Sequence, residues 1–204
     1  MVCPVRDIVQ RIESCTICER SVPPLPHQAV QTIRATARSR IRIISQAPGL
    51  RAHNSGTPFM DPSGVRLREW LAVNEEEFYD ADNFAITPMG FCFPGYDSKG
   101  GDLPPRRECA PMWQDRVTAA LGEVDLVLLV GMYAQKRYLG PDMRRTLTET
   151  VRSWRDYGPR VLPLPHPSWR NNAWLKMHDW FPEVIAHLRE RVDAVVTRHA
   201  QTTG

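Results

Sequence analysis

The chain contains no long apolar segment of the kind found in membrane proteins. No stretch of the 204 residues approaches the ~20 consecutive apolar residues that a membrane-spanning helix needs. The opening segment MVCPVRDIVQRIESC also has no apolar core of the length that a secretory signal peptide requires. We therefore expect a cytoplasmic protein that does not act at a membrane.

Two common nucleotide-binding signatures are missing as well. The dinucleotide fingerprint GxGxxG and the phosphate-binding pattern GxxxxGK[ST] do not occur in the chain, so nucleotide cofactors are not expected. A strong charge of either sign is also missing, because 26 Lys and Arg against 23 Asp and Glu give a formal net charge of +3. This mild basic excess permits nucleic-acid binding without arguing for it.

Cysteine is scarce, and its odd count of five does not favour a framework of disulfide bonds. In a reducing compartment, clustered cysteines are more often metal ligands. Cys15 and Cys18 form the pair CTIC, while Cys92 and Cys109 lie far downstream in a loop rich in glycine, proline and basic residues. Four thiolates suit either zinc or an iron–sulfur cluster, and the alternative is four unrelated free thiols. Cys3 is expected to lie outside the group.

The chain does contain a regular alternation of strand and helix patterns. With 42% apolar residues it can bury a core and is expected to form one domain, residues 1–204. Short β-branched runs predict strands at 41–45, 83–87, 125–131 and 160–164. Helical patterns cover 28–38, 63–73, 105–121, 133–139, 145–154 and 179–196. This alternation predicts an α/β fold, a three-layer α/β/α sandwich with a central four-stranded parallel sheet.

Two loops are the best candidates for a ligand site, because loops after parallel strands carry ligands. The first is QAPGLRAHNSGTPF after the first strand, and the second is HPSWRN, which begins at His166 after the fourth strand. Either segment alone has a plain structural explanation, as a turn or as a hydrogen-bonded histidine. The inference for a site therefore depends on the two loops facing each other at one edge of the sheet.

These segments together resemble the uracil-DNA glycosylase superfamily, in particular its iron–sulfur family 4 branch, and the resemblance covers most of the chain. The first motif of that branch reads roughly GEAPGxxEDxxGxPFVG. It is matched at Pro48, Gly49, Gly56, Pro58 and Phe59. The segments PSGVRLREWL and HPSWRN and the four cysteines extend the match. HPSWRN is also similar to the single-strand-selective monofunctional branch, in which an arginine at the place of Arg170 wedges into the duplex.

The resemblance implies a DNA repair glycosylase that flips a damaged base out of DNA and hydrolyses its N-glycosidic bond. It implies that His166 donates a hydrogen bond to the leaving base and that Phe59 stacks on it, with Ala47, Pro48 and Gly49 beside the base. The cysteines would be the ligands of a 4Fe–4S cluster, with zinc as the alternative: Cys15, Cys18, Cys92 and Cys109.

The chain departs from the family pattern at several polar positions. Gln46 stands where the family has a glutamate, and Pro88 stands where it has the asparagine that reads a pyrimidine edge. Because proline has no backbone N–H, the base is expected to be read by main-chain groups nearby, such as Met89, or by another side chain. Water would be oriented by Gln46, His53 or Asp61. Asp61 has the alternative role of capping the helix that follows it.

The expected partner is DNA containing a damaged base, bound by a monomeric protein. Trp169 and Arg170 would fill the gap left by the flipped nucleotide. Ser168, Asn171, Lys99 and the pair Arg106 and Arg107 are candidates for contacts to DNA. Two other functions remain open: a non-catalytic iron–sulfur protein that binds DNA, and a zinc-stapled hydrolase of a small nucleoside.

Overall fold

The centre of the protein is a four-stranded sheet. The structure is a computed structural model that describes residues 3–203, with side chains to residue 197. Its strands are β1 (Ile41–Ile44), β2 (Phe84–Ile86), β3 (Leu126–Val130) and β4 (Val161–Leu164). They lie in the order β2-β1-β3-β4, and every neighbouring pair is parallel. Each strand lies inside its predicted range, and the predicted parallel sheet is confirmed.

Helices pack on both faces of this sheet. In chain order they are α1 (Pro4–Glu13), α2 (Ile17–Arg20), α3 (Leu50–Ser55), α4 (Pro62–Leu71), α5 (Glu75–Tyr79), α6 (Cys109–Leu121), α7 (Met132–Leu139), α8 (Leu147–Arg152), α9 (Asn172–Met177) and α10 (Phe181–Thr203). Short 3-10 turns cover Gly140–Asp142, Trp154–Tyr157 and Trp169–Asn171. No helix among residues 3–203 is both long and apolar enough to cross a membrane.

The alternation of side chains along the strands divides the core between the two faces. Ile41 and Ile43 of β1 belong to a cluster that includes α4 and α10 side chains such as Leu67 and Val184. Ile44 points the other way and packs with Leu129 and with α7. On that second face α1 also packs against α6. The sheet is thus buried on both faces, as expected for parallel strands.

The helix predicted over 28–38 is wrong. This segment is extended, and Arg34 forms an antiparallel bridge with Ile86 in which each N–H donates to the other carbonyl. Thr32 N–H likewise donates to the Phe91 carbonyl at 2.8 Å. The unpaired edge of β2 and the loop after it supply these partners, and the β-branched residues of the segment favour an extended backbone. The pairing therefore outweighs the weak helical pattern.

The helix predicted over 105–121 begins later, at Cys109. Pro105 lies instead in the preceding loop, where its Cβ would be 3.1 Å from a methyl group built on Gly90. Cys109 N–H donates to the Arg106 carbonyl in the turn that starts the helix. The other predicted helices agree with α4, α7, α8 and α10 apart from their ends.

Candidate active site

A cleft of about 170 Å³ opens where the strands β1, β2 and β4 end. Both loops singled out in the sequence contribute to it, so the expectation that they face each other is met. Its lining comprises Thr32, Ser45, Gln46, Ala47, Pro48, Gly49, Ala52, Pro58, Phe59, Asp61, Ser63, Pro88, Asp102, His166, Ser168 and Arg170.

The start of the first loop is held by main-chain hydrogen bonds that continue the pairing of β1. Met89 N–H donates to the Ser45 carbonyl at 2.9 Å, and Gly90 N–H donates to the Gln46 carbonyl at 3.0 Å. Met89 itself is buried against Ile44 and does not line the cleft. Its N–H is therefore already used inside the protein and is not free to read a base.

Phe59 is held in a backbone conformation that is rare for its residue type. Its φ is 59°, in the left-handed region, and its side chain is only 8% exposed. Gly64 makes this possible, because a Cβ at that position would lie 1.8 Å from the Phe59 carbonyl oxygen. The ring meets Phe78 edge to face at a centroid distance of 6.1 Å. A strained residue so tightly supported is typical of functional sites.

Asp61 combines two contacts. Its Oδ1 accepts a hydrogen bond from Gly64 N–H at 2.9 Å and caps α4, as one of the two sequence interpretations stated. Its Oδ2 faces the cleft, 4.0 Å from the position that a methyl group on Gly49 would occupy. Asp61 is thus both a helix cap and a carboxylate of the cleft wall.

His166 lies at the end of β4 and is neutral at physiological pH. Burial lowers the pKa of its imidazole to about 4, although the charge of Asp61 opposes this shift. The backbone at His166 is fixed by Asn171, whose Nδ2 donates to the His166 carbonyl at 2.6 Å. A neutral imidazole in a partly dry site can donate a hydrogen bond without carrying a charge.

The rest of the second loop is anchored to α4 through its backbone, while some of its side chains are exposed to solvent. Arg66 of α4 donates to the carbonyls of Pro167 and Ser168, at 3.3 and 3.0 Å. The Ser168 hydroxyl accepts from Arg170 N–H and caps the short turn. Trp169 is 68% exposed, and the Arg170 guanidinium lies 5.7 Å from the centre of its ring. The loop therefore presents an aromatic and a cationic side chain beside the cleft.

His53 does not line the cleft. Its ring packs against His27, with ring centroids 4.3 Å apart, and against Phe93. Burial, and then the charge of His27, lower its pKa. Its Nδ1 is buried and has no hydrogen-bond partner among the described residues.

Asp102 is a cleft residue that sequence reasoning missed. It is exposed at the rim, in the loop between β2 and α6, and no element pattern marks it. Its Oδ2 would lie 3.7 Å from a methyl group on Gly49. Burial raises the pKa of its carboxyl, Arg170 opposes the rise, and Asp61 adds to it. Asp102 reaches the cleft because the loop that carries it lies beside the first loop.

Cys18 and Cys92 pack together in one small cluster, and Cys15 packs against the cluster that holds Cys109. Burial raises the pKa of the Cys92 thiol, and the charges of Cys109, Cys18 and Cys15 raise it further. Burial likewise raises the pKa of Cys109 to about 12, with contributions from Cys18 and Cys15. Within residues 3–203, no three His, Cys, Asp or Glu side chains stand in an arrangement that could hold a metal ion.

The basic residues near the cysteine loop differ in their surroundings. Arg106 donates to the Ser21 hydroxyl and to the Pro23 carbonyl, and its charge lowers the pKa of Cys18 against the larger effect of burial. Arg107 and Lys99 are exposed. Arg106 therefore ties the N-terminal segment to the loop, whereas the other two face solvent.

Comparison with known proteins identifies the family of this site. Residues 34–189 match the model of the "Uracil DNA glycosylase superfamily", a span that runs from the segment before β1 into α10. The chain is also similar to the solution NMR structure of "a putative Uracil DNA glycosylase from Methanosarcina acetivorans". That likeness has 16% sequence identity and a TM-score of 0.41, over 82% of this chain and 96% of the other.

Proposed function

Since the chain belongs to the uracil DNA glycosylase superfamily, we propose that it is a monofunctional DNA glycosylase that removes uracil or another deaminated base from DNA. The observation that carries this proposal is the meeting of Phe59 and His166, from opposite loops, in one cleft. An aromatic ring for stacking and a hydrogen-bond donor for the base are the two groups that such a site needs. The resemblance to the family 4 branch supports the same function.

Leaving-group stabilisation by His166 is the main chemical step in this proposal. Breaking an N-glycosidic bond develops negative charge on the departing base, and a donor aimed at a base carbonyl stabilises that charge. His166 is neutral because its pKa is lowered to about 4. Its N–H can therefore donate a hydrogen bond to the base carbonyl, and this bond becomes stronger as the base becomes anionic.

Access to the base requires that it leave the duplex. Extrusion costs a few kcal/mol, which contacts to the gap and to the phosphates offset. Trp169 is exposed and Arg170 lies over its ring, at the mouth of the cleft. We propose that these two side chains fill the gap left by the extruded nucleotide. The side chains that would contact the phosphates of the DNA backbone are Ser168, Lys99 and Arg107.

The edge of the base is read differently from the pattern that the resemblance implies. Pro88 has neither an amide side chain nor a backbone N–H, and the N–H of Met89 is bonded to Ser45. Gln46 lines the cleft and carries an amide that can both donate and accept. Deaminated bases share a carbonyl next to a ring N–H, which one amide can match. We therefore expect tolerance among deaminated bases rather than strict selection of uracil.

A 4Fe–4S cluster is proposed for the cysteine group. The chemistry of the donors suits the cluster, although their arrangement in the structure does not itself form a metal site: four thiols come from separate segments, and the Arg106 charge favours the thiolate of Cys18. The ligands would be Cys15, Cys18, Cys92 and Cys109. The cluster would fix the loop after β2 beside the cleft, a structural role, since hydrolysis needs no electron transfer. Zinc bound by the same thiols is the alternative.

The test is base release from synthetic DNA. Oligonucleotides carrying uracil, hypoxanthine, xanthine or hydroxymethyluracil, single- and double-stranded, would be incubated with the protein, and free base would be measured directly. We expect release of at least one of these bases, and no strand cleavage until alkali is added. Binding to damaged DNA without release of any base would contradict the proposal and favour a non-catalytic DNA-binding protein.

A further inference from the structure

The loop between β2 and α6 brings a carboxylate to the cleft in a fixed backbone. The Asp97 carboxylate accepts hydrogen bonds from Lys99 N–H and Gly101 N–H, both at 2.8 Å. Leu103 N–H donates to the Gly95 carbonyl at 2.9 Å and closes the turn. Asp102 lies between these contacts and lines the cleft. Its position is therefore set by the loop and not by a flexible linker.

Asp102 and Asp61 face the same part of the first loop. A methyl group built on Gly49 would lie 3.7 Å from Asp102 Oδ2 and 4.0 Å from Asp61 Oδ2. The charge of Asp61 raises the pKa of the Asp102 carboxyl, in addition to the larger effect of burial. Arg170, which also lines the cleft, is the cation that acts on Asp102. The cleft thus holds two acidic groups and one basic group around its mouth.

The two carboxylates are not equivalent as bases. Asp61 already uses Oδ1 to accept a backbone hydrogen bond as the cap of α4. The carboxyl of Asp102 has a raised pKa, caused by burial and by charges, with no hydrogen bond among the causes. The residue as a whole is exposed at the rim, where water reaches it, while its carboxyl group is partly withdrawn from solvent. Gln46, the other polar group here, can orient water but cannot take its proton.

We propose that Asp102 is the catalytic residue that accepts the proton of the attacking water, an assignment that rests on the proposed glycosylase function. In this step the C1′–N bond breaks and its electron pair goes to the base, whose carbonyl accepts a hydrogen bond from His166. The water oxygen bonds to C1′ while one proton passes to Asp102. The base anion then takes a proton from solvent, and Asp102 returns its own proton to solvent.

The negative charge of Asp102 has a second use in the same step. Positive charge develops on the sugar as the bond breaks, and a carboxylate beside the sugar stabilises that charge. A carboxylate at a DNA-binding rim would otherwise oppose the approach of phosphates. Removing its charge should therefore leave DNA binding unchanged or tighter while slowing the chemistry, two effects of opposite direction.

The experiment compares Asp102→Asn with Asp61→Asn and with Asp115→Asn, an exposed aspartate on α6 that pairs with Arg137. Single-turnover release would be measured on the lesion oligonucleotide that the wild type cleaves best. DNA affinity would be measured with an oligonucleotide carrying a tetrahydrofuran abasic analogue. We expect Asp102→Asn to lose about 10²- to 10⁴-fold in rate with affinity unchanged or tighter. Asp61→Asn should lose less, because asparagine can still cap α4, and Asp115→Asn should match the wild type.

Three results would overturn the assignment. These are a wild-type rate for Asp102→Asn, a larger loss for Asp61→Asn than for Asp102→Asn, and a rate loss in Asp102→Asn matched by weaker DNA binding. A wild-type protein that releases none of the four bases would instead overturn the proposed function, and the assignment with it. The measurement on the wild-type protein thus distinguishes a failure of the Asp102 assignment from a failure of the proposed glycosylase function.

Discussion

Gly131 lies against His166. A methyl group built on Gly131 would be 3.5 Å from His166 Cβ and 3.8 Å from its Cδ2. Gly131 N–H donates to the Leu164 carbonyl at 2.9 Å, which joins the ends of β3 and β4 just before the imidazole. The turn after β3 therefore supports the group to which we assign leaving-group stabilisation, although it contributes no side chain of its own.

This contact makes Gly131→Ala a test of support for the imidazole. The φ of Gly131 is 88°, a conformation that side chains avoid, so alanine should destabilise the fold by about 1–3 kcal/mol. Gly122, with φ 67° and no neighbour within 4 Å, is the matched control. Urea unfolding should give similar losses for the two variants, whereas only Gly131→Ala should slow base release. Equal rates for the two variants would contradict the supporting role.

The pKa of His166 predicts how stability changes with pH. Its folded-state pKa of about 4 lies below the ordinary 6.5, so the unfolded chain binds an extra proton between these values. The free energy of unfolding should therefore fall as the pH drops from 6.5 to 4, by up to about 3 kcal/mol from this group. Urea unfolding of His166→Gln should show a shallower fall over this range. An unchanged slope would mean that His166 is not buried as described.

The exposed pair Trp169 and Arg170 should matter most on paired DNA. If these side chains fill the gap left by the flipped nucleotide, alanine at either position should slow release from a duplex more than from a single strand, since only the duplex must be unpaired. Arg145→Ala, which removes an exposed arginine outside the cleft, controls for lost charge. Equal losses on both kinds of DNA would indicate a general disturbance of the loop.

The cysteine group should bind iron and sulfide. Protein purified without oxygen should be brown, with broad absorption near ~400 nm and about four iron and four sulfide per chain. Cys92→Ser should lose the colour, and Cys3→Ser should keep it, because Cys3 is not among the thiols that act on Cys92. One zinc per chain without sulfide would contradict the cluster and favour the alternative metal.

Much of the site was predictable because it depends on the order of strands. In a parallel sheet all carboxyl ends meet at one edge, so the loops holding Phe59 and His166 could be placed opposite each other from the strand pattern alone. The cap signal at Asp61 was also readable, since a helix pattern follows it directly. Each of these residues lies in a segment directly next to a predicted strand or helix, so the local sequence indicates its position.

The parts that were missed depend on contacts between distant segments. Asp102 reaches the cleft through a loop that Asp97 fixes locally, but no local signal shows that this loop lies beside the first loop. The segment 28–38 contributes Thr32 to the cleft because it pairs with the edge of β2, which overrode its helical pattern. His53 shares the first loop with the cleft residues, yet its ring turns toward His27. Tertiary pairing decided each of these positions.

The proposed chemistry depends most on His166, and single-turnover base release measures that dependence directly. A positioned donor to a developing anion is typically worth ~10²- to 10³-fold in rate, so His166→Ala should lose about that much, with DNA affinity retained. Gln46→Ala, which removes a group that only orients water or the base, should lose less. A near-wild-type rate for His166→Ala together with an inactive Gln46→Ala or Asp61→Asn would contradict the account and move the chemistry to the first loop.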